Sequence, residues 1–372
     1  MFKCRVCGGS LYAEPLLELT NMPASAQNLP DSYNLDSDVG IDLQIFQCSK
    51  CGLVQIPHSP VSYYRDVIRA VGISDEMKSF RENQFSQFIK KYDRSKIVEI
   101  GAGHGEFLSI MSNICPHSYG IEHSGSGVTD ARKIGLEVTK AYIDNENFLI
   151  PNSPFDSFYI MSFLEHVPDI NSFLGGLWNN LTDDAIGLIE VPNFNMIIDK
   201  QLFSEFILDH LFYFTEATLK TTLEINGFEV LECNSIWHDY ILSVVVRKRK
   251  RLNLKNFLTQ KDKITKEIVE FVNKYPDVSI WGAGHQSFAI MALVGLQEKI
   301  KYVVDSAKFK QGKYTPSTHI PIVSPKFFRQ SPTSAIIVIA GSYSDEVVKI
   351  IKKYDLGNLK IAILKDSGLE IV

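Results

Sequence analysis

Apolar and polar positions divide the chain into three stretches of different rhythm. From Asp75 to Tyr92 the apolar residues Met77, Phe80, Phe85, Phe88 and Ile89 recur at helical spacing, and Ser74 stands ahead of them as an N-cap. Strand-like runs then alternate with helical ones: Ile97–Ile100, Ser118–Ile121, Ser157–Met161, Ala185–Val191 and Gly227–Cys233, followed by Tyr240–Val246. Such alternation predicts a doubly wound, mainly parallel sheet. A charged helical segment, Leu254–Tyr275, leads to a second set at Val278–Trp281, Ile300–Val304, Ala335–Ile339 and Leu359–Ile363, which reads as a smaller α/β domain. Ahead of all this, residues 1 to about 60 are rich in turn formers (Pro23, Pro30, Gly40, Pro57, Pro60) and show little helical periodicity. The expected organisation is three domains, 1–65, 66–250 and 251–372.

Two Cys-x-x-Cys pairs, Cys4/Cys7 and Cys48/Cys51, take four of the six cysteines and lie wholly in the first stretch. Two residues between thiolates let both sulfurs reach one tetrahedral ion, so the two pairs suit a closed, structural zinc site. The 40 residues between Cys7 and Cys48 exceed the spacing of compact ribbons, so a long excursion must leave the knuckle and return. Two disulfides, or four unrelated buried thiols, are the alternatives, and nothing suggests an oxidising compartment. Cys115 and Cys233 stand in apolar surroundings and read as core.

A net charge of -5 gives no electrostatic case for nucleic acid, and the basic run at 247–251 reads as a solvated linker. No apolar stretch reaches membrane-span length, and the first residues lack a signal-peptide core. The expectation is a cytoplasmic protein with no membrane partner.

Candidate chemistry begins at Val98-Glu-Ile-Gly-Ala-Gly-His-Gly-Glu-Phe107, where the chain leaves a strand, turns through Gly101, Gly103 and Gly105, and enters a helix. Glycines there permit a tight turn and close approach of backbone amides to a ligand. Glu122 ends the next strand, 19 residues beyond Gly103, where a carboxylate can take both hydroxyls of a ribose. Glu99 precedes the loop as the acidic residue does in methyltransferase E/D-x-G-x-G motifs. The stretch Phe155–Asp169, with Leu164-Glu-His-Val-Pro168, resembles the fourth-strand signature of class I methyltransferases. Residues Gly187–Asn193 suit their fifth strand. Glu165 and His166 read as capping and packing residues beyond the strand rather than as catalytic groups.

With these residues placed, the whole chain resembles the bacterial nucleotide-sugar C-methyltransferases. The match is carried by the cysteine quartet with Asn21-Met-Pro-Ala24 and Cys51-Gly-Leu-Val-Gln55, by the first glycine loop and Leu164–Pro168, and by Asp209-His-Leu-Phe-Tyr-Phe214. A long C-terminal block adds Trp281–Gly284, Tyr302–Asp305, Lys310–Pro316, His319–Ile322, Ser324-Pro325 and Tyr343–Glu346. The resemblance implies an α/β fold: a small N-terminal zinc-binding domain, a class I methyltransferase core and a C-terminal Rossmann-like domain. It implies S-adenosylmethionine as cofactor, held by Glu99, Gly101, Ala102, Gly103, Glu122 and Ser162. It also implies structural zinc on Cys4, Cys7, Cys48 and Cys51. The acceptor implied is a small molecule, a keto-deoxysugar linked to a nucleotide, methylated at a ring carbon beside the ketone.

That chemistry needs a base for the α-proton. His210 matches the family's base, with Asp209 placed to orient it or share its proton, and His238 falls where the family has a second histidine. The family's motif usually reads Tyr-x-Glu-His. Here its tyrosine is Ile207 and its glutamate Asp209, and the glycines after the second histidine are Asp239 and Tyr240. The family's other catalytic tyrosine falls within Tyr63–Ser74, at Tyr64 or Arg69. From spacing alone His210 would instead be a satisfied histidine opening an aromatic-rich helix, with Phe212, Tyr213 and Phe214 as core. The departures leave O- or N-methylation of another acceptor, and a non-catalytic zinc-containing scaffold, as alternatives.

The second glycine loop, Ser279-Ile-Trp-Gly-Ala-Gly-His-Gln-Ser287, mimics the first, with Asp305 following Gly284 by 21 residues. Ser287 replaces the third glycine of a dinucleotide fingerprint. This half reads as a copy of the fold that helps wall the acceptor site, and Lys310, Lys313 and Tyr314 are either acceptor-phosphate contacts or solvated residues. The excursion of the knuckle is expected to form another wall.

Overall fold

The computed structural model describes residues 2–66 and 73–372. Arg69, one of the two candidates for the second catalytic position, lies outside the described residues. In chain order the elements are β1 (Leu17–Met22), β2 (Ile41–Gln47), β3 (Val54–Gln55), α1 (Asp75–Tyr92), β4 (Lys96–Ile100), α2 (Glu106–Ser112), β5 (His117–Glu122), α3 (Gly125–Lys133), β6 (Val138–Lys140) and β7 (Phe155–Met161). They continue with α4 (Ile170–Asn179), β8 (Leu181–Pro192), α5 (Phe194–Asp199), β9 (Phe212–Tyr213), α6 (Glu216–Ile225), β10 (Phe228–Ile236) and β11 (Ile241–Lys248). Then follow α7 (Lys255–Lys274), β12 (Val278–Trp281), α8 (His285–Val294), β13 (Ile300–Val304), β14 (Ile322–Val323), α9 (Pro325–Gln330), β15 (Ala335–Val338), α10 (Ser344–Lys352), β16 (Lys360–Lys365) and β17 (Gly368–Ile371). By internal packing the chain forms two units, Met1–Arg251 and Leu252–Val372.

The first unit is built on a seven-stranded sheet of order β10-β11-β8-β7-β4-β5-β6, with β11 antiparallel to both its neighbours and the pairings from β8 to β6 parallel. This is the class I methyltransferase arrangement. Strands β4 and β7 run side by side but lead in opposite directions across the sheet, so the loops after them open a crevice at its C-terminal edge. The strands carry near-continuous apolar runs because helices cover both faces: Val98, Ile100, Phe158 and Ile160 bury on one side, Ile97, Tyr159 and Met161 on the other. Helix α1 starts where expected, with the Ser74 hydroxyl accepting from the Met77 amide, and ends on Asp93 in a left-handed conformation.

The N-terminal stretch is less irregular than its composition suggests. Strands β1, β2 and β3 form an antiparallel sheet completed by β9, which the chain supplies after the methyltransferase strands are almost finished. Here the sequence reading needs correction: Phe212, Tyr213 and Phe214 do not continue a helix from His210. They alternate across a strand, Phe212 and Phe214 facing the main core and Tyr213 the core beneath β2. Cys4, Val6, Leu11, Phe46, Cys48 and Leu53 belong to the same apolar cluster as Phe173, Leu174 and Leu219, so the knuckle shares a core with the methyltransferase sheet. Cys115 is buried as expected, and Cys233 is half-buried.

The second unit has a six-stranded sheet of order β14-β13-β12-β15-β16-β17, parallel except for β17. Its glycine loop is closed by its own side chains. Ser287 accepts from the Gly284 amide at the start of α8, and Asp305 accepts from Ala283 N at 2.9 Å and pairs with Lys310 at 3.0 Å. No helix among the described residues is long and apolar enough to cross a membrane.

Candidate active site

The four knuckle thiols gather at one point. Cys4 Sγ lies 3.7 Å from Cys51 Sγ and Cys7 Sγ 3.5 Å from Cys48 Sγ, with no disulfide among them. Bonds of about 2.3 Å to a tetrahedral ion place sulfurs about 3.8 Å apart, so the spacing fits a four-thiolate metal site. Backbone amides of Gly9, Lys50 and Cys51 and the Gln55 side chain donate to these sulfurs, as suits thiolates. The knuckle is moored to the loop after β7 and to the first turn of α4: Arg5 donates to Pro168 O as well as to His58 O, and Asn171 of α4 donates to Val6 O.

At the crevice, Gly101 and Gly103 have φ of 79° and 56°, a left-handed backbone that glycine adopts without steric cost. The amides of Gly101 and Ala102 both point at Ile121 O, and Gly103 N donates to Glu122 Oε2 at 2.8 Å. Glu122 takes the Ser124 amide on its other oxygen at 2.7 Å, which fixes the carboxylate at the end of β5. Glu99 is fully buried one strand over and accepts from the Tyr159 hydroxyl at 3.0 Å. Ser162, at φ 50°, turns the chain out of β7 with its amide on Glu190 O. Sequence reasoning passed over Gly127, where an added Cβ would stand 2.6 Å from Gly103 O; its signal was only a glycine in the first turn of α3.

Beside this loop is a cleft of about 390 Å³ whose lining includes Ala26, Tyr63, Tyr64, Ser162, Glu165, His166, Asp209 and His210. Glu165 and His166, expected to cap and pack, stand on the wall of this cleft. Leu211 N donates to Glu165 O and Ile56 N to Leu211 O, so His210 is held between the loop after β7 and the knuckle sheet. His166 Nδ1 bonds Asp209 O at 2.8 Å, and the His166 and His210 rings meet edge to face at 4.8 Å. Burial pushes the Glu165 carboxyl up to about 8. Burial also lowers His166, against the opposing pull of its bond to Asp209, and with His166 beside it takes His210 down to about 3. Desolvation disfavours the charged form of each group, so both imidazoles are neutral near pH 7.

Asp209 is buried, and its carboxylate accepts from the Tyr63 hydroxyl at 2.6 Å and the Ala26 amide at 3.0 Å. Tyr63, not singled out in the sequence, is thus the tyrosine bonded to the Asp-His pair. Tyr64 also lines the cleft, but its ring packs edge-on against Tyr142 at 5.9 Å and under the Arg65 guanidinium. At the motif's tyrosine position, Ile207 has its backbone pinned by the Tyr213 hydroxyl. His238 is not brought to this cleft. It sits in the β10–β11 turn with Trp237 and Asp239, all three at positive φ, next to the Trp237 ring. The physical reason is the turn itself: the left-handed run is anchored by Asn193, which donates to Asp239 O, and it directs His238 elsewhere.

Residues 76–233 match a methyltransferase domain and residues 251–362 the C-methyltransferase C-terminal domain. The chain is also similar to the C-methyltransferase NovU of Streptomyces niveus, 22% identical over 390 residues covering 95% of this chain and 92% of that protein. The chain thus carries a methyltransferase domain ahead of a C-methyltransferase C-terminal domain. Among solved structures, this methyltransferase is similar to the plantazolicin methyltransferase BpumL in complex with a monoazolic desmethylPZN analog and SAH (16% identity, TM-score 0.38, 46% of this chain and 83% of that one). It is also similar to an S-adenosylmethionine-dependent methyltransferase from Clostridium acetobutylicum (10% identity, TM-score 0.39, 46% of this chain and 92% of that one).

Proposed function

We propose that this methyltransferase methylates a carbon beside a ketone on a nucleotide-linked deoxysugar, with His210 as the base. The observation that carries the reading is the grouping of His210 and Asp209 in one cleft, the carboxylate held by Tyr63 and the excursion loop. S-adenosylmethionine, when bound at Glu99, Gly101, Ala102, Gly103, Glu122 and Ser162, supplies an electrophilic methyl group. His210, which burial holds neutral with a free lone pair, would take the α-proton of the acceptor, and the electron pair left on that carbon would accept the methyl group the cofactor supplies. Asp209 lies next in the chain and sets the position of the histidine through its anchored carboxylate. Tyr64 closes one side of the cleft. The similarity to NovU and the domain matches support carbon as the methylated atom. Structural zinc on the four thiols, in a domain spanning 1–65 ahead of catalytic residues 66–250 and a C-terminal domain at 251–372, completes the reading.

The test is His210→Ala. It should keep S-adenosylmethionine affinity by calorimetry and lose turnover and the exchange of the acceptor's α-proton with deuterated water. Full turnover in that variant sinks the assignment.

A further inference from the structure

A second cluster of metal-type donors lies outside the knuckle. Among the described residues, Glu165, His166 and His210 each offer a donor atom within 4.8 Å of the others. Glu165 Oε1 lies 3.9 Å from His166 Nε2, and the other carboxylate oxygen, Oε2, is buried without a hydrogen-bond partner among the described residues. A buried carboxyl oxygen without a partner is costly, and a cation, displacing the proton that burial keeps on the group near neutral pH, would satisfy it. His166 is already in the right tautomer. Its Nδ1 bonds a carbonyl oxygen, which can only accept, so Nδ1 carries the proton and the lone pair of Nε2 is turned toward Glu165. A ring nitrogen tied to a backbone carbonyl behind a free one is the usual outer support of a histidine ligand.

We propose that Glu165, His166 and His210 form a binding site for one borderline divalent transition cation, zinc or cobalt, and that occupancy inhibits the enzyme. Bonds of about 2.1 Å at a tetrahedral ion place donor atoms about 3.4 Å apart, so Glu165 Oε1 and His166 Nε2, at 3.9 Å, must close by about half an ångström and the widest pair by up to about 1.4 Å, through side-chain rotation. Two imidazoles and a carboxylate suit zinc or cobalt better than magnesium, which prefers oxygen and water. The inhibitory part rests on the reading of His210 as base: the lone pair that binds the ion is the one that would take the α-proton. The cation and the acceptor then compete for one histidine, while the glycine loop is untouched.

The experiment uses the full chain carrying one zinc on the knuckle, titrated with cobalt(II) alone. One further equivalent should bind, with visible bands of nitrogen and oxygen ligation and no thiolate charge-transfer band. Glu165→Gln, which keeps shape but cannot supply an anionic oxygen to the cation, should weaken that binding at least about tenfold, as should His166→Gln if the first variant folds poorly. Turnover should fall with occupancy and return on adding EDTA while the knuckle keeps its zinc. Absence of a second equivalent, or unchanged cobalt affinity in both variants, overturns the site. Full occupancy without loss of turnover overturns the inhibition and counts against His210 as base, whereas failure of the site leaves the His210→Ala result standing.

Discussion

Tyr63→Phe removes one oxygen and tests how the excursion of the knuckle governs the catalytic pair. The Tyr63 hydroxyl donates to Asp209 Oδ1 at 2.6 Å and accepts from the amides of Ala26 and Gln27 at 3.1 and 3.0 Å. Burial, reinforced by the Asp209 charge, pushes the tyrosine's pKa upward, so it stays a donor throughout the neutral range. A hydrogen bond to a charged, buried acceptor contributes about 1.5–3 kcal/mol. Two features place the loss near the lower bound. Tyr63 is only partly buried, so water can replace its hydroxyl, and Ala26 N still reaches Asp209 Oδ2. For a unit of this size, about 1.5 kcal/mol lowers the melting temperature by roughly 3–6 °C. The loop at residues 23–28 should also become more open to limited proteolysis, and kcat/KM for the acceptor should fall while S-adenosylmethionine affinity holds. Asp209→Asn and the double variant complete a cycle, in which a coupling energy of about 1 kcal/mol or more is expected for groups in direct contact. A melting temperature within a degree of wild type, unchanged proteolysis and zero coupling would refute the argument that Tyr63 and the loop position Asp209.

Gly127→Ala should weaken S-adenosylmethionine binding at least about tenfold by calorimetry, because its Cβ would stand 2.6 Å from Gly103 O and force the glycine loop to move. Unaltered affinity would show that the loop does not hold the cofactor. His238→Gly should stabilise the protein by about 0.5–1 kcal/mol in urea unfolding, since it relieves a left-handed non-glycine residue at φ 59°; loss of turnover in that variant would restore His238 as a catalytic candidate. Stripping the knuckle metal with a chelator, or Cys51→Ser, should release the Arg5 contact to the loop after β7 and the Asn171 contact from α4, and lower turnover as well as stability. Retained turnover after complete metal loss would mean that the knuckle does not support the site.

Local patterns in the sequence determined most of the scaffold. Helix α1 with its Ser74 cap, the apolar runs of both sheets, the two glycine loops with an acid after each, and the paired cysteines all rest on interactions within a few residues or on periodicity imposed by burial. Their bounds follow from the chain itself to within a few residues. What the sequence left open depends on contacts between residues far apart. Two adjacent tyrosines cannot be ranked by spacing, and the structure gives the bond with Asp209 to Tyr63 because the excursion loop returns 183 residues upstream of that carboxylate. Phe212–Tyr213 has the composition of a short helix as readily as of a strand; pairing with β3 makes it a strand and sets His210 in the cleft. Glu165 and His166 became site residues for the same reason, since only the packing of the knuckle sheet against the end of β7 brings them to His210. Periodicity reports which face of an element is buried. It carries no information on which other element buries it, and in this protein that pairing decided the composition of the candidate site.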